Sequence, residues 1–228
     1  MTLHLTNLSG DAELDGQIVH PARPVKGSAY RNTFKRLLDT LVILAAAPVV
    51  LPVVLIIAML IALDGRSPFY AQQRIGRDGR VFRMWKLRTM VPDAHQMLEE
   101  YLLSNAEARI EWNTTQKLKK DPRITRIGAL LRKTSVDELP QLWNVLWGDM
   151  SLVGPRPMMV EQRDLYDGKG YFRVRPGITG LWQVSDRNDC HFADRVHYDD
   201  RYAAELSFMT DLRIMLRTVG VMLRGTGY

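Results

Sequence analysis

The feature that most constrains this chain is an apolar run of 24 residues, 40–63, without a charged or amide side chain. A straight helix of that length is about 36 Å long, which exceeds the roughly 30 Å hydrocarbon core of a bilayer. A buried helix of a soluble core is the alternative, but such helices seldom stay apolar on every face. The run therefore predicts a helix that enters a membrane.

Two prolines, Pro48 and Pro52, lie near the centre of this run. Each removes a backbone donor and clashes with the carbonyl four residues earlier, so we expect a sharp bend. Proline-kinked helices that span a bilayer exist, so a spanning helix stays open beside a re-entrant one. Basic residues decide between them, because they flank both ends of the run and favour the cytoplasmic side. They are Arg31, Lys35 and Arg36 before it, and Arg66, Arg74, Arg77, Arg80 and Arg83 after it. We therefore predict a re-entrant membrane helix within residues 31–64.

Composition places the rest of the chain among globular proteins. With 46% apolar and 25% charged residues in 228, it is not a disordered chain, a collagen or a polytopic membrane protein. The net charge of +6 favours an acidic partner or surface. Cys190 is the single cysteine of the sequence, which excludes an intrachain disulfide and a cysteine-based metal site and favours a reducing compartment.

The chain divides into three predicted regions. Residues 1–30 mix glycine, proline and charges without periodicity, which predicts a poorly ordered leader rather than a cleaved secretory signal. The membrane helix follows. Residues 65–228 are expected to form one compact domain, so the predicted fold class is α+β. Alternating residues 67–90 predict a β-hairpin that turns at Asp78–Gly79.

Helical periodicity predicts three further segments. One covers residues 93–112, with an apolar side formed by Met97, Leu98, Tyr101 and Leu102. The next follows a basic stretch, 117–133, and contains Leu139, Leu142, Trp143, Val145 and Leu146. The last is amphipathic, with Leu212, Met215, Leu216, Val219 and Leu223 on one side and Arg213, Arg217 and Arg224 on the other. Such a helix either lies on an anionic membrane surface or packs against the core through its apolar side.

Asp137 and Glu138 are the first candidates for chemistry. Ser135, three residues before Glu138, also allows a purely structural interpretation, a capping box at a helix N-terminus. The surroundings favour function, because six cations precede the acids and suit a phosphorylated substrate: Lys119, Lys120, Arg123, Arg126, Arg132 and Lys133. An ionised aspartate can attack phosphorus, and a neighbouring glutamate can hold magnesium.

Two loops rich in arginine, proline and glycine follow. Arg156 lies between two prolines, so its guanidinium is aimed by a nearly fixed backbone; it binds either a phosphate or, structurally, a carboxylate or loop carbonyls. Arg175, Gly177 and Gly180 form either a phosphate nest or a plain tight turn. His191 and His197 lack a third zinc ligand nearby, and no P-loop, Rossmann or nucleophile-elbow motif occurs.

From about Lys35 to the C-terminus the chain resembles the monotopic phosphoglycosyl transferases, also called the bacterial sugar transferase family. The resemblance rests on several long motifs in order: KRLLD, RIGRDGRVFRMWKLRTM, DPRITRIGALLRKTSVDELPQLWNVLWGDMSLVGPRP, VRPGITGLWQV and LSFMTDLRIM. It implies a re-entrant membrane helix and a small cytosolic catalytic domain with amphipathic interfacial helices.

The resemblance also implies roles for individual residues. Asp137 matches the nucleophile and Glu138 the Mg²⁺ ligand, while Arg156 matches a phosphate-binding arginine. Lys86 and Arg88 match a basic pair in the strand motif. Arg132 and Arg175 are expected among the phosphate-binding residues. Arg187 is expected among them as well, although Asp186 beside it departs from the glycine of many members, and this added carboxylate repels an anionic donor.

The implied reaction is a two-step exchange at the cytosolic face of the bacterial inner membrane. A UDP-sugar gives its sugar 1-phosphate to the enzyme with loss of UMP, and undecaprenyl phosphate then accepts it. Enzymes of exopolysaccharide assembly that move galactose phosphate are the most similar, with glucose or another hexose as alternatives. A non-catalytic scaffold of a polysaccharide assembly complex and an RNA-binding module are the rival functions. The prediction includes no nucleic-acid partner and leaves a homo-oligomer open.

Overall fold

The computed structural model describes residues 29–115, 118–185 and 194–223. Residues 1–28 of the predicted leader, Asp186, Arg187 and Arg224 lie outside the described residues, so the predictions for them stay predictions. Within the described residues the chain is α+β, with a long apolar N-terminal helix and a small domain that contains a short antiparallel hairpin. The predicted fold class is confirmed to that extent.

The long helix, α1, covers Lys35–Ala62 and follows a π-helical turn at Tyr30–Phe34. It contains both Pro48 and Pro52 and is assigned as one element through them. In the described part of the chain it is the one helix long and apolar enough to cross a membrane, and 11% of its most apolar stretch is buried. This exposed apolar helix is suited to a membrane, while its re-entrant course stays a prediction.

The first half of α1 is fastened to the domain by polar contacts. The Lys35 ammonium lies 2.5 Å from the Asp211 carboxylate, and both side chains are almost completely buried. Asp39 accepts a hydrogen bond of 2.7 Å from the Ser151 hydroxyl. Arg36 donates to the carbonyls at the end of a later helix. The basic residues that precede the apolar run therefore hold it to the domain.

The second half of α1 packs against the same domain through apolar side chains. Ala58 and Ile61 form a buried cluster with Leu87 and Leu131. Between the two halves, residues 44–53 are exposed or half-buried. Both ends of the apolar helix thus contact one domain, and its middle does not.

The β-hairpin consists of β1, Phe69–Ile75, and β2, Val81–Leu87, paired antiparallel from Phe69↔Leu87 to Ile75↔Val81. A short 3₁₀ turn at Arg77–Gly79 connects them. Asp78 has a φ of 59° and Gly79 a φ of 78°, and consecutive left-handed residues match the twist of the flanking strands. The predicted turn is confirmed.

Three short strands complete the two sheets. β4, Met158–Met159, pairs with β1, which gives the order β2-β1-β4. β3, Ser151–Val153, and β5, Gly177–Thr179, form a separate parallel pair. Both sheets carry loops of the arginine-rich and proline-rich region, so the strands fix where those loops lie.

The prediction of one helix over 93–112 is wrong. The structure has α2, Ala94–Ser104, and α3, Ala106–Thr115, separated at the extended residue Asn105. The Asn105 side chain accepts a hydrogen bond from the Ala108 N–H at 3.0 Å, so it caps the new helix. Leu98 and Leu102 are buried as predicted, whereas Met97 is 38% exposed.

The remaining helices are α4, Arg126–Thr134; α5, Gln141–Trp147; α6, Gly170–Arg173; α7, Arg195–Glu205; and α8, Phe208–Leu223. The predicted C-terminal helix is confirmed, and of its two open interpretations, packing against the core does not describe its whole apolar side. Leu216 and Val219 are 65% and 56% exposed, whereas Ile214 and Asp211 are buried. The ion pair of Asp211 with Lys35 sets the buried face, and an apolar face is left outside.

Candidate functional site

Asp137 and Glu138 lie on a single 3₁₀ turn, Val136–Glu138, between α4 and α5. Helix α4 ends at Ser135, whose φ of 56° is left-handed and unusual for a residue other than glycine. The Ser135 side chain makes no capping hydrogen bond in this described segment, and the Glu138 carboxylate binds Lys86 instead. The capping-box interpretation is therefore wrong, and the abrupt turn places both acids at a junction.

Strand β2 is brought to this turn by Asn144, which is 1% exposed. The Asn144 side-chain amide donates to the Arg83 carbonyl at 2.7 Å and accepts from the Trp85 N–H at 3.0 Å. It therefore satisfies two backbone groups on the free edge of β2 that another strand would otherwise pair. This contact fixes α5 on β2, so Lys86 faces the acidic turn.

The Lys86 ammonium lies 2.6 Å from a Glu138 carboxylate oxygen, and about a fifth of each side chain is exposed. Burial alone raises the pKa of the Glu138 carboxyl, but Lys86, Arg156 and Arg74 together lower it below its usual value. Glu138 is thus held as an anion within a group of cations.

Asp137 is 8% exposed, and its pKa shifts in the opposite direction. Burial raises the pKa of the Asp137 carboxyl, and the charge of Glu138 adds to that, while Lys86 and Arg132 oppose it. Both acids are desolvated, but the cations outweigh burial at Glu138 and do not at Asp137, which is what distinguishes the two. A desolvated carboxylate has lost part of the hydration that makes carboxylates weak nucleophiles in water.

A small cavity adjoins Glu138. We call it the cationic cavity, because Arg74, Lys86 and Arg156 line it together with Glu138, Gln141 and Gln183. Burial, followed by the charge of Arg156, lowers the pKa of Arg74 to about 10. Three cations around one carboxylate leave the cavity with an excess of positive charge, which suits a phosphate-bearing ligand.

The backbone around Arg156 is held at three successive carbonyls. The Pro155 carbonyl accepts from the Gly177 N–H at 2.8 Å, and the Pro157 carbonyl accepts from Arg74 at 3.2 Å. The Arg156 carbonyl accepts from the buried guanidinium of Arg195. The Arg156 side chain is exposed and forms no ion pair with a carboxylate of the described residues.

The other predicted binding residues lie in different places. Arg132 donates to the Thr89 hydroxyl at 2.9 Å, and its charge acts on Asp137, so it belongs to the acidic turn. Arg88 makes two hydrogen bonds of 2.7 Å to Asp64 at the end of α1 and lines neither cavity of the site. Arg175 donates to the Gly148 carbonyl at 2.9 Å and lines neither cavity.

Gly177 of the predicted phosphate nest makes its backbone hydrogen bond within the protein. Its N–H donates to the Pro155 carbonyl, so that donor is already satisfied. A side-chain carbon at Gly177 would lie 2.1 Å from the Gly154 nitrogen, which shows that two backbone segments approach closely here. The glycine serves close packing of the loop that carries Arg156.

A larger cleft of about 240 Å³ continues from the cationic cavity. Both share Glu138, Arg156, Ile178 and Gln183. We call it the apolar cleft, because five aliphatic side chains line it: Leu139, Leu142, Ile178, Val184 and Val221. The acidic turn thus lies where a charged cavity and an apolar one meet.

Sequence reasoning missed Arg74, Gln141, Gln183 and Asn144. Arg74 was noted as a flanking cation only, since its place beside Arg156 depends on the pairing of β1 with β4. Asn144 has no local signal, because its partners lie about sixty residues earlier in the chain. The buried Gln183 side-chain oxygen has no hydrogen-bond partner among the described residues, which marks it as a candidate ligand contact.

Comparison with known proteins agrees with this arrangement. A protein of Erwinia amylovora described as a UDP-galactose-lipid carrier transferase is 47% identical over 195 residues, 85% of this chain and 41% of its own length. The exopolysaccharide production protein ExoY of Rhizobium meliloti is 45% identical over 199 residues, 86% of each chain. An undecaprenyl-phosphate galactose phosphotransferase of Salmonella typhimurium is 42% identical over 199 residues, 86% of this chain and 41% of its own.

The chain therefore spans less than half of two of these relatives and most of the third. The family model described as bacterial sugar transferase matches residues 30–225, which include α1, the acidic turn and both cavities. The chain belongs to the bacterial sugar transferase family.

Proposed function

We propose that this protein is an enzyme that transfers a sugar 1-phosphate from a UDP-sugar to undecaprenyl phosphate and releases UMP. Galactose phosphate is the preferred candidate, because the Erwinia and Salmonella relatives are named for galactose transfer. The observation that carries the proposal is the buried Asp137 beside Glu138, a residue that lines a cavity together with Arg74, Lys86 and Arg156. The reaction is the first membrane step in assembly of an exopolysaccharide repeat unit.

Asp137 is the proposed nucleophile. One of its carboxylate oxygens attacks the phosphorus that bears the sugar, and the bond from that phosphorus to the UMP oxygen breaks, so UMP leaves. The phosphate oxygen of undecaprenyl phosphate then attacks the same phosphorus and displaces the aspartate. Arg74, Lys86 and Arg156 offset the negative charge of the phosphates during both steps.

The residues present fit a magnesium ion shared with substrate phosphates. Magnesium in phosphoryl-transfer sites takes one or two protein carboxylates and keeps water or phosphate oxygens as its other ligands. Glu138 provides a carboxylate and Gln141 an amide oxygen in one cavity, while no cluster of three acidic, histidine or cysteine ligands occurs among the described residues. When bound, Mg²⁺ would neutralise charge on the phosphate oxygens.

The proposed site faces the cytosol at the inner membrane, with α1 entering and leaving on that side. Lys35 and Ile43 at one end of α1, and Ala58 and Ile61 at the other, contact the same domain. A helix that crossed the bilayer would carry its two ends to opposite sides, about 30 Å apart. The exposed apolar face of α8 provides a second surface for the lipid interface.

The two rival functions have less support. An RNA-binding hairpin needs its aromatic and basic side chains free, but Phe82 and Met84 pack into a core cluster and Lys86 pairs with Glu138. A scaffold gives no reason to bury Asp137 beside a cationic cavity, because an uncompensated buried acid costs stability.

The test is an assay of the detergent-purified protein with a panel of UDP-sugars, undecaprenyl phosphate and Mg²⁺, in which UMP release is measured. One UDP-sugar should support turnover in the presence of the lipid. Without the lipid, that sugar should release UMP only up to the amount of enzyme, and intact mass should rise by one hexose phosphate. If no UDP-sugar releases UMP, the proposed function is refuted; if release requires the lipid, direct transfer replaces the covalent step.

A further inference from the structure

The apolar cleft is larger than the catalytic chemistry at Asp137 requires. Its volume is about 240 Å³, far larger than that of the cationic cavity that adjoins it. Its walls come from the ends of α4, the start of α5, β5 and α8. Because it shares Glu138 and Arg156 with the cationic cavity, a ligand in the cleft reaches the acidic turn directly.

The threonine hydroxyls that line the cleft are already bonded within the protein. The Thr134 hydroxyl donates to the Leu130 carbonyl at 2.9 Å. The Thr179 and Thr218 hydroxyls bond each other at 2.7 Å, and Thr218 also lies 2.8 Å from the Ile214 carbonyl. A nucleobase or ribose needs free donors and acceptors, so these groups offer it little. What the middle of the cleft presents to a ligand is aliphatic surface.

The elements that form the cleft also carry exposed apolar side chains on their outer faces. On α8, Leu216 and Val219 are exposed, and on α5 the rings of Trp143 and Trp147 are exposed and stack edge to face. Exposed tryptophan and aliphatic side chains on adjacent helices are typical of a lipid interface. The cleft is thus lined in part by two helices whose outer faces suit a lipid interface.

We propose that the apolar cleft binds the isoprenoid segment next to the phosphate of the lipid acceptor, an assignment that rests on the proposed function. The lipid phosphate then lies near Arg156 and Lys133 at the cleft wall, and the chain continues past Val221 toward the membrane. The nucleotide sugar occupies the cationic cavity from the other side. The two substrates therefore use separate approaches to one aspartate.

The test fills the apolar cleft with a larger side chain on α8. Val221 is half-buried and Val81 is exposed on the hairpin, outside both cavities, so Val221→Trp and Val81→Trp make a matched pair. Val221→Trp should raise KM for undecaprenyl phosphate by about tenfold or more, and KM for the UDP-sugar by less than about twofold. Val81→Trp should change neither value. A rise in KM for the UDP-sugar instead would assign the cleft to the nucleotide and overturn the proposal, as would two unchanged values.

A second measurement does not depend on turnover. Photoreactive p-benzoylphenylalanine in place of Val221 should crosslink to radiolabelled undecaprenyl phosphate, and the same residue in place of Val81 should not. Equal crosslinking at both positions overturns the proposal, whatever the activity. Failure of the parent protein to release UMP from any UDP-sugar would refute the proposed function alone, because crosslinking still reports the lipid site.

Discussion

The buried carboxyl group of Asp199 predicts that the protein becomes less stable as the pH rises. Asp199 is 2% exposed, lies 3.2 Å from the Arg195 guanidinium and accepts a hydrogen bond of 2.9 Å from the Tyr166 hydroxyl. Burial raises its pKa from 3.8 to about 6, although Arg195 and Tyr166 act in the opposite direction. The pKa of most acids paired with arginine is lowered instead. The raised pKa of Asp199 therefore shows that burial is the stronger effect here.

The free energy of unfolding should therefore fall as the pH rises through this window. Below about pH 4 the carboxyl is protonated in both states; between about 4 and 6 the unfolded chain has lost the proton while the native protein keeps it. The slope is roughly 1.4 kcal/mol per pH unit, which amounts to about 3 kcal/mol over the whole shift. Above about pH 6 the carboxylate is ionised in both states, and the loss is complete. For a chain of this size that loss lowers Tm by about 6–12 °C.

The assay is thermal unfolding of the detergent-solubilised protein from pH 4 to 7, in parallel with Asp199→Asn. The amide keeps the shape but does not titrate, so groups such as Asp137 contribute equally to both proteins and cancel in the difference. The stability of the parent relative to the variant should fall by about 3 kcal/mol between pH 4 and 6.5. Parallel curves over this range would refute the reasoning that burial outweighs Arg195.

Three further predictions concern the acidic turn. Asp137→Asn should leave less than about 1% of UMP release with an unchanged Tm, because an amide is a poor nucleophile; retention of more than a few per cent removes Asp137 from that role. Glu138→Gln should lower turnover and shift its Mg²⁺ dependence to higher concentration, and an unchanged magnesium titration would contradict metal binding by Glu138. Lys86→Met should move the acid limb of the pH–rate profile to higher pH, because the Lys86 charge lowers the Glu138 pKa; an unmoved limb contradicts that electrostatic role.

The parts of the fold that sequence predicts are those set by neighbouring residues. The turn at Asp78–Gly79, the apolar helix and the buried Leu98 and Leu102 follow from local periodicity and turn chemistry. Asn105 was missed because a single capping side chain breaks a helix whose periodicity is otherwise continuous. The local pattern at Ser135 predicts a cap, but a contact with β2, about fifty residues away, decides what Glu138 binds.

The candidate site likewise contains residues that the sequence predicts and residues that it does not. Asp137, Glu138, Lys86 and Arg156 were found through motifs. The structure brings the last three around one cavity and places Asp137 where the charges of Lys86 and Glu138 act on it. Arg88 was grouped with Lys86 because alternate residues of a strand share a face, yet the strand ends at Leu87 and Arg88 pairs with Asp64. Residues that act through tertiary contacts, such as Asn144 behind β2, have no signal in a single sequence.

The last prediction concerns the path of α1. Replacing Pro48 and Pro52 with leucine restores two backbone donors and allows a continuous span, which would carry the N-terminus outward. The buried pair of Lys35 with Asp211 opposes this movement, because separating its partners costs about 3–5 kcal/mol. A Val25→Cys probe in a Cys190→Ser background should therefore stay protected from an impermeant thiol reagent in intact cells. In the proline-less variant it should label partially, and Lys35→Met added to that variant should increase the labelling. Labelling of the probe with both prolines and Lys35 intact would show that α1 spans the bilayer and that its two ends do not share one side.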